Sequence, residues 1–291
     1  MTGIPPDPAS PERRRPGPAK RALAQNFLVD KNLQKKIAAE LQAEPGDTVL
    51  EIGPGHGELT GHLLGGVRRL VLIEKDRALA GDLVQRWGDR EDVDVRLADA
   101  LEMDLGSFVH PHDPLRVLSN VPYNITSPLL FAFLAIRPPA RRIVVTVQKE
   151  VAERIVAGPG TRTYGALSVG VQAISTAEIA FKVGRQAFRP VPDVDSAVVR
   201  IDPDPTRCER TDSTALRVVT RLFFGRRRKQ LQKILRTAPE LSLEARQVAE
   251  LCERLDLDPR SRPEELDPEI FVRMSEILLP TPEIEGAGPD P

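Results

Sequence analysis

The stretch Val49-Leu50-Glu51-Ile52-Gly53-Pro54-Gly55-His56-Gly57 constrains this chain more than any other. An apolar, strand-like run passes straight into three glycines, each two residues from the next. Leu59, Leu63 and Leu64 follow at helical spacing. Glycine lets a backbone turn sharply and come close to a ligand without a Cβ in the way. Further strand-like runs at 70–73, 93–97, 115–118 and 143–147 alternate with helical patterns, which is the grammar of a parallel α/β sheet. In such a sheet ligands gather at the carboxyl ends of the strands.

The turn is not the dinucleotide pattern G-x-G-x-x-G, and no G-x-x-x-x-G-K-[ST] phosphate loop occurs, which argues against NAD and ATP. Glu74 closes the second strand-like run, about twenty residues after the first glycine, where an acid accepts from ribose hydroxyls. Asp99 follows the third run and is placed to accept from an adenine amino group. Either acid alone is ordinarily a solvated strand end. With the glycine turn they describe an adenosine-containing cofactor that has no phosphates to cradle, S-adenosylmethionine.

Asn120-Val121-Pro122-Tyr123 follows the run 115–118, and Ser127-Pro128 read as the N-cap and first residue of a helix. The tetrapeptide therefore sits at the carboxyl edge of the sheet. An Asn side-chain oxygen and a backbone carbonyl beside a proline can both accept from one NH2 group, while an aromatic ring stacks on a planar base. This is a site for methylating an exocyclic amine. In isolation the same four residues are more often a strand-to-helix turn, and the neighbouring motifs decide against that.

The chain resembles the ribosomal RNA adenine dimethyltransferase family, in its small-subunit branch, over roughly residues 19–279. The resemblance rests on Gln25-Asn26-Phe27-Leu28, the 51–57 turn, the 120–123 tetrapeptide, Gln148-Lys149-Glu150-Val151-Ala152-Glu153-Arg154, Tyr164-Gly165-Ala166-Leu167-Ser168-Val169 and the segment 188–199, which begins Phe188-Arg189-Pro190-Val191-Pro192. Val121, where the family often has Leu, and His56, at a variable turn position, are departures that do not touch the chemistry. The resemblance implies a Rossmann-like class I methyltransferase sheet, mostly parallel, with residues 177–183 and 196–201 as an antiparallel pair at one edge and a small all-α C-terminal domain. It implies cofactor contacts from Asn26, Leu28, Gly53, Glu74, Asp99 and Asn120. It implies catalysis by Asn120, Pro122, Tyr123 and Phe188, the two aromatic rings enclosing the target base. The implied activity is N6,N6-dimethylation of two adjacent adenosines in the 3′-terminal hairpin of small-subunit (16S) rRNA, in a pre-ribosomal 30S particle. The alternatives are a resistance methyltransferase acting on large-subunit rRNA, or an assembly or transcription factor that has kept the fold and lost catalysis.

Organisation along the chain fits this reading. Residues 1–18, rich in Pro and carrying Arg13-Arg14-Arg15, and residues 280–291 read as disordered tails. A methyltransferase domain over 19–203 and a helical rRNA-binding domain over 204–279 are expected, with Pro203 and Pro205 marking a linker. Asp30 reads as the N-cap of a helix, and further helices are expected over 216–224, 230–235, 244–255 and 268–279. Net charge is only −1, yet residues 238–291 hold 14 acids against 5 bases. The remainder holds 36 bases against 28 acids, enough to meet phosphate while the acidic C-terminal part faces away. Arg226, Lys229, Lys233 and Arg236 fall at +3, +4 and +3, the spacing of one helical face, and are expected to bind RNA. Lys20 and Arg21 extend the basic N-terminal arm.

Cys208 and Cys252 form no disulfide or metal framework, and His56, His62, His110 and His112 fit no zinc pattern. Ser168 and Ser196 have no histidine partner at a motif spacing, and Trp87 reads as a packing residue. No apolar run has the length of a membrane span and no signal peptide is visible. The expectation is a cytoplasmic, metal-free, monomeric enzyme.

Overall fold

The computed structural model describes residues 26–109, 114–120 and 125–280. Pro122, Tyr123, His110, His112, the N-terminal arm and the tail from 281 lie outside the described residues. Seven strands form one sheet in the order β4-β3-β2-β5-β6-β9-β7, built from β2 (Thr48–Ile52), β3 (Arg69–Glu74), β4 (Val93–Leu97), β5 (Leu115–Ser119), β6 (Arg142–Gln148), β7 (Ser175–Val183) and β9 (Ser196–Pro203). The first five pair in parallel, and β9 runs antiparallel to both β6 and β7. The last two strands thus lie at one edge as expected, with the reversed strand one place in from it. A two-residue bridge, β1 (Phe27–Leu28) to β8 (Phe188–Arg189), is a separate small sheet.

Successive side chains of a strand point to opposite faces, and here both faces are buried. Leu50, Ile52, Val71, Ile73, Val117, Ile143 and Val145 enter the larger apolar cluster. Val49, Leu70, Leu72, Leu118 and Val144 enter the smaller one on the other face. This explains why the parallel strands read as continuous apolar runs. The smaller cluster is covered by α1 (Lys31–Glu40) and α2 (Arg77–Trp87). Asp30 caps α1 by accepting from the amides of Asn32 and Leu33. The larger cluster takes in α3 (Thr126–Leu134), α4 (Lys149–Ile155), α5 (Ala166–Gln172) and the C-terminal helices α7 (Ser213–Phe224), α8 (Leu231–Thr237), α9 (Ala245–Leu255) and α10 (Pro268–Leu278).

The amino edge of the sheet is tied by charge. Buried Arg116 of β5 pairs with buried Asp47 and donates to the Leu41 carbonyl at 2.9 Å, clasping the end of α1 to β2 and β5. This leaves the carboxyl edge free to carry a site.

Four expectations need correction. The helix after the glycine turn is absent: residues 55–66 form turns around one 3-10 turn, Thr60–His62. Gly57, Gly61, Gly65 and Gly66 are poor helix formers, and Leu59 and Leu63 reach the core without one. Helix α3 begins at Thr126, so Ser127 and Pro128 lie inside its first turn. The linker is no linker, because Asp204 caps α6 (Pro205–Arg210) with Pro205 in its first turn. Finally, the acids of the C-terminal part do not simply face away. Glu240, Glu264 and Glu269 pair with Arg226, Arg227 and Arg210.

Candidate active site

Strand order brings the chemistry together. The turn after β2, Glu74 at the end of β3, Asp99 just after β4 and Asn120 just after β5 line one cleft at the carboxyl edge. Its space is about 950 Å³ when the open solvent at its mouth is counted. Asn26 lines it too, brought there by the bridge from β1 to β8.

The turn is held open by its glycines. Gly53, Gly55 and Gly57 have φ of 68°, 62° and 80°, a region that L side chains rarely adopt. A Cβ on Gly57 would also lie 2.2 Å from the Trp87 ring, and one on Gly55 3.1 Å from Phe27. Trp87 is therefore a packing residue, as expected, and what it packs is the back of the turn.

Glu74 is buried and braced. Its Oε1 accepts from the Asp76 amide at 2.8 Å and its Oε2 from the Gly55 amide at 3.2 Å. Burial raises its carboxyl above the ordinary range, opposed by these backbone donors. The carboxylate keeps further lone pairs for a ligand's hydroxyls. Asp99 is engaged more than the sequence suggested. Its Oδ1 accepts from Leu101 N at 3.0 Å, and its Oδ2 takes the Lys75 ammonium at 2.5 Å. That pair holds the Asp99 carboxyl below its usual range.

Leu28 is not among the lining residues. Its side chain is 1 % exposed in the smaller core cluster, and its carbonyl accepts from Gln34 Nε2 at 2.6 Å. Phe188 is likewise 1 % exposed and packs in that cluster opposite Leu28, so its ring presents no open face to a base. Val29 N donating to the Ala187 carbonyl at 2.8 Å, and Arg185 N to Asp195 Oδ1 at 3.0 Å, fix this loop.

Several lining residues were missed by sequence reasoning. Phe27 sits between two residues that were singled out, and its ring lies 4.7 Å from exposed His56. Glu51 is 2 % exposed, accepts from Thr60 Oγ1 at 2.7 Å, and is pushed by burial to a pKa of about 7. An acid inside an apolar strand was the signal for it. Glu58 is half-buried and also raised, mainly by burial. Lys75 gave no signal, since nothing local shows that it folds onto Asp99.

The basic stripe is not one helical face. Gly225 ends α7, residues 225–229 form a turn, and only Lys233 and Arg236 lie on α8. Arg226 donates to the Leu222 carbonyl at 3.3 Å and pairs with Glu240 at 3.3 Å. Lys229, Lys233 and Arg236 are exposed, with Leu231, Ile234 and Leu235 buried beneath them.

The donor set is distinctive. Four carboxylates line the cleft, and the one basic residue among its described lining residues, Lys75, is committed to one of them. Such a site repels phosphates and suits a ligand bearing hydroxyls, an amine and positive charge, which fits S-adenosylmethionine. Fold and cleft together define the class, a Rossmann-like methyltransferase. A model of the family described as ribosomal RNA adenine dimethylase matches residues 18–277, and this chain belongs to that family. It is 43 % identical over 265 residues to the ribosomal RNA small subunit methyltransferase A of Nitratidesulfovibrio vulgaris, covering 90 % of this chain and 97 % of the relative. The protein of the same name from Pseudomonas aeruginosa is 40 % identical over 266 residues, covering 91 % and 96 %. Among solved structures, a dimethyladenosine transferase from Plasmodium falciparum superposes with a TM-score of 0.72 at 26 % identity, covering 85 % of this chain and 95 % of that one. The 23S rRNA methyltransferase ErmE gives 0.62 at 27 % identity, covering 87 % and 99 %. Among the described residues no helix is long and apolar enough to cross a membrane.

Proposed function

We propose that this chain dimethylates N6 of two adjacent adenosines in the 3′-terminal hairpin of 16S rRNA, acting as a monomer on a pre-ribosomal 30S particle in the cytoplasm. The observation that carries the proposal is the convergence of Asn26, Gly53, Glu74, Asp99 and Asn120 on one cleft at the carboxyl edge of the sheet. The small-subunit names of the relatives favour this RNA over the large-subunit one. S-Adenosylmethionine, when bound, supplies an electrophilic methyl group on a sulfonium centre.

The chain's own residues do the rest. Glu74 and Asp99 hold the nucleoside part, while Leu28, buried and with its carbonyl taken by Gln34, acts only by anchoring the strand that brings Asn26 and Phe27 to the cleft. The target adenosine leaves its stack at a cost of a few kcal/mol, less at a helix end. Asn120 Oδ1 and the Pro122 carbonyl accept the two N6 hydrogens and turn the nitrogen lone pair out of conjugation with the ring. Holding the amine in that orientation supplies much of the acceleration, and the same acceptors stabilise the charge that develops on N6. Tyr123 stacks on the base. Phe188 anchors the loop that frames the base, a revision of its expected role as a second stacking face. The alkylated nitrogen is acidic enough to release its proton to water, so no strong base is needed. After one methyl a single N–H remains, and the site must accept a rotated monomethylamine.

In the same proposal residues 19–203 form the catalytic unit and 204–279 the RNA-facing unit, the two sharing the larger core cluster. Exposed Lys229, Lys233 and Arg236 meet phosphate, while Arg226 braces the turn that carries them.

The test is transfer of labelled methyl groups to unmodified small subunits, naked 16S rRNA and large subunits. The proposal expects label in small subunits. It also expects Asn120→Ala to lower turnover by about 10²–10³, the loss seen when one preorganised polar partner is removed. Label in the large subunit alone would assign the chain to the other RNA.

A further inference from the structure

The cleft is unevenly charged, and the unevenness follows the strand order. Across the carboxyl edge from β4 to β5 the polar side chains are Asp99, Glu74, Glu51 with Glu58, and then Asn120. Neighbouring strands lie about 4.8 Å apart, so this row spans roughly 14 Å. At the β4 end Asp99 is neutralised by Lys75. At the β2 turn Glu58 and Glu51 face the cleft with no cation of their own among the described lining residues. Arg86 on α2 donates to the His56 carbonyl at 2.5 Å and lies over the Trp87 ring; it and His56 both favour the ionised form of Glu58 from outside the cleft lining, each less strongly than burial opposes it. One end of the cleft is therefore electrically quiet, and its middle, next to Asn120, is anionic.

We propose that Glu58, backed by buried Glu51, is a charge-selectivity residue that makes the cleft hold the sulfonium cofactor in preference to the thioether product. The inference rests on the reading of this cleft as the S-adenosylmethionine site. Cofactor and S-adenosylhomocysteine share adenine and ribose, so Glu74 and Asp99 treat them alike. They differ by one positive charge at sulfur, and the strand order sets that atom between Glu74 and Asn120, beside the turn that carries Glu58. Glu51 acts from behind, 2 % exposed, in surroundings where a charge is weakly screened. Burial raises the carboxyls of both residues above the ordinary range, and an arriving cation favours their ionised forms. Once the methyl group has left, the ligand no longer offsets that charge and departs. Such exchange is required between successive methylations on one RNA.

Calorimetric titration of the full chain with S-adenosylmethionine and, separately, S-adenosylhomocysteine tests this. The wild type should bind the sulfonium compound more tightly. Glu58→Gln should weaken that binding about three- to fivefold, the upper part of the range for a partly exposed ion pair, and leave the thioether within about 1.5-fold. Glu58→Ala should give the same pattern, and melting curves without ligand report whether either variant is folded. Equal weakening of both ligands, or no change in either, overturns the inference while leaving the cofactor site intact. Failure of the wild type to bind either compound overturns the reading of the cleft itself, and the inference with it.

Discussion

Glu51 is the residue whose position most needs explaining, because a carboxyl inside a buried parallel strand works against the fold. Burial pushes its pKa to about 7, with Glu58 and Glu74 adding to the rise and the Thr60 hydroxyl opposing it. Between about pH 4.5 and 7 the folded chain therefore keeps a proton that the unfolded chain releases. Stability attributable to this group is present at low pH, falls as pH rises through that window, and is lost above it, by about 3 kcal/mol at most. Glu51→Gln, which can still accept from Thr60, should melt like the wild type at pH 4.5 and higher than it at pH 8, without cofactor. Parallel melting curves across that range would contradict the assignment. At this scale the sequence was legible where an acid or asparagine closes an apolar run, as Glu74, Asp99 and Asn120 do. It was silent where a side chain acts across the fold. Lys75 reaches Asp99 24 residues away, and Phe188 turns inward because its partner Leu28 comes from the other end of the domain.

At the scale of elements, strands and amphipathic helices were legible because burial on both faces of the sheet dictates continuous apolar runs and burial on one face of a helix dictates 3.6-residue periodicity. Helices α7 to α10 and the parallel strands lie where those patterns put them, and β7 and β9 where the family resemblance put them. The helix expected after the glycine turn and the basic stripe fail for one cause: residues at helical spacing share a face only if the backbone between them stays helical. Gly225 stops α7, and the basic residues fall on a turn and a short helix rather than on one face. The RNA-binding expectation changes accordingly. Changing exposed Lys229, Lys233 and Arg236 together to Gln should flatten the salt dependence of particle binding by about 0.7–0.9 log units of slope per lost phosphate contact. Arg226→Gln should act on stability instead, through its contacts with Leu222 and Glu240. An unchanged slope in the triple variant would make those three cations a solvated surface.

For the whole molecule, the topology assigns a separate task to each edge of the sheet. The amino edge is tied by the buried Asp47–Arg116 pair, and the carboxyl edge gathers the polar residues of four strands into one cleft. The larger apolar cluster runs from the sheet into α7 to α10, so the surface proposed to meet RNA is carried on the same core as the candidate cofactor cleft. On the proposed function, this arrangement places two methyl groups on each of two neighbouring adenosines of small-subunit RNA. Unmodified small subunits should be incubated with the chain and S-adenosylmethionine, and their 16S rRNA then digested for fragment mass spectrometry. The account predicts one fragment near the 3′ end that gains four methyl groups, on two adjacent dimethyladenosines. Methylation confined to large-subunit RNA, or a single methyl group per adenosine at completion, would contradict it.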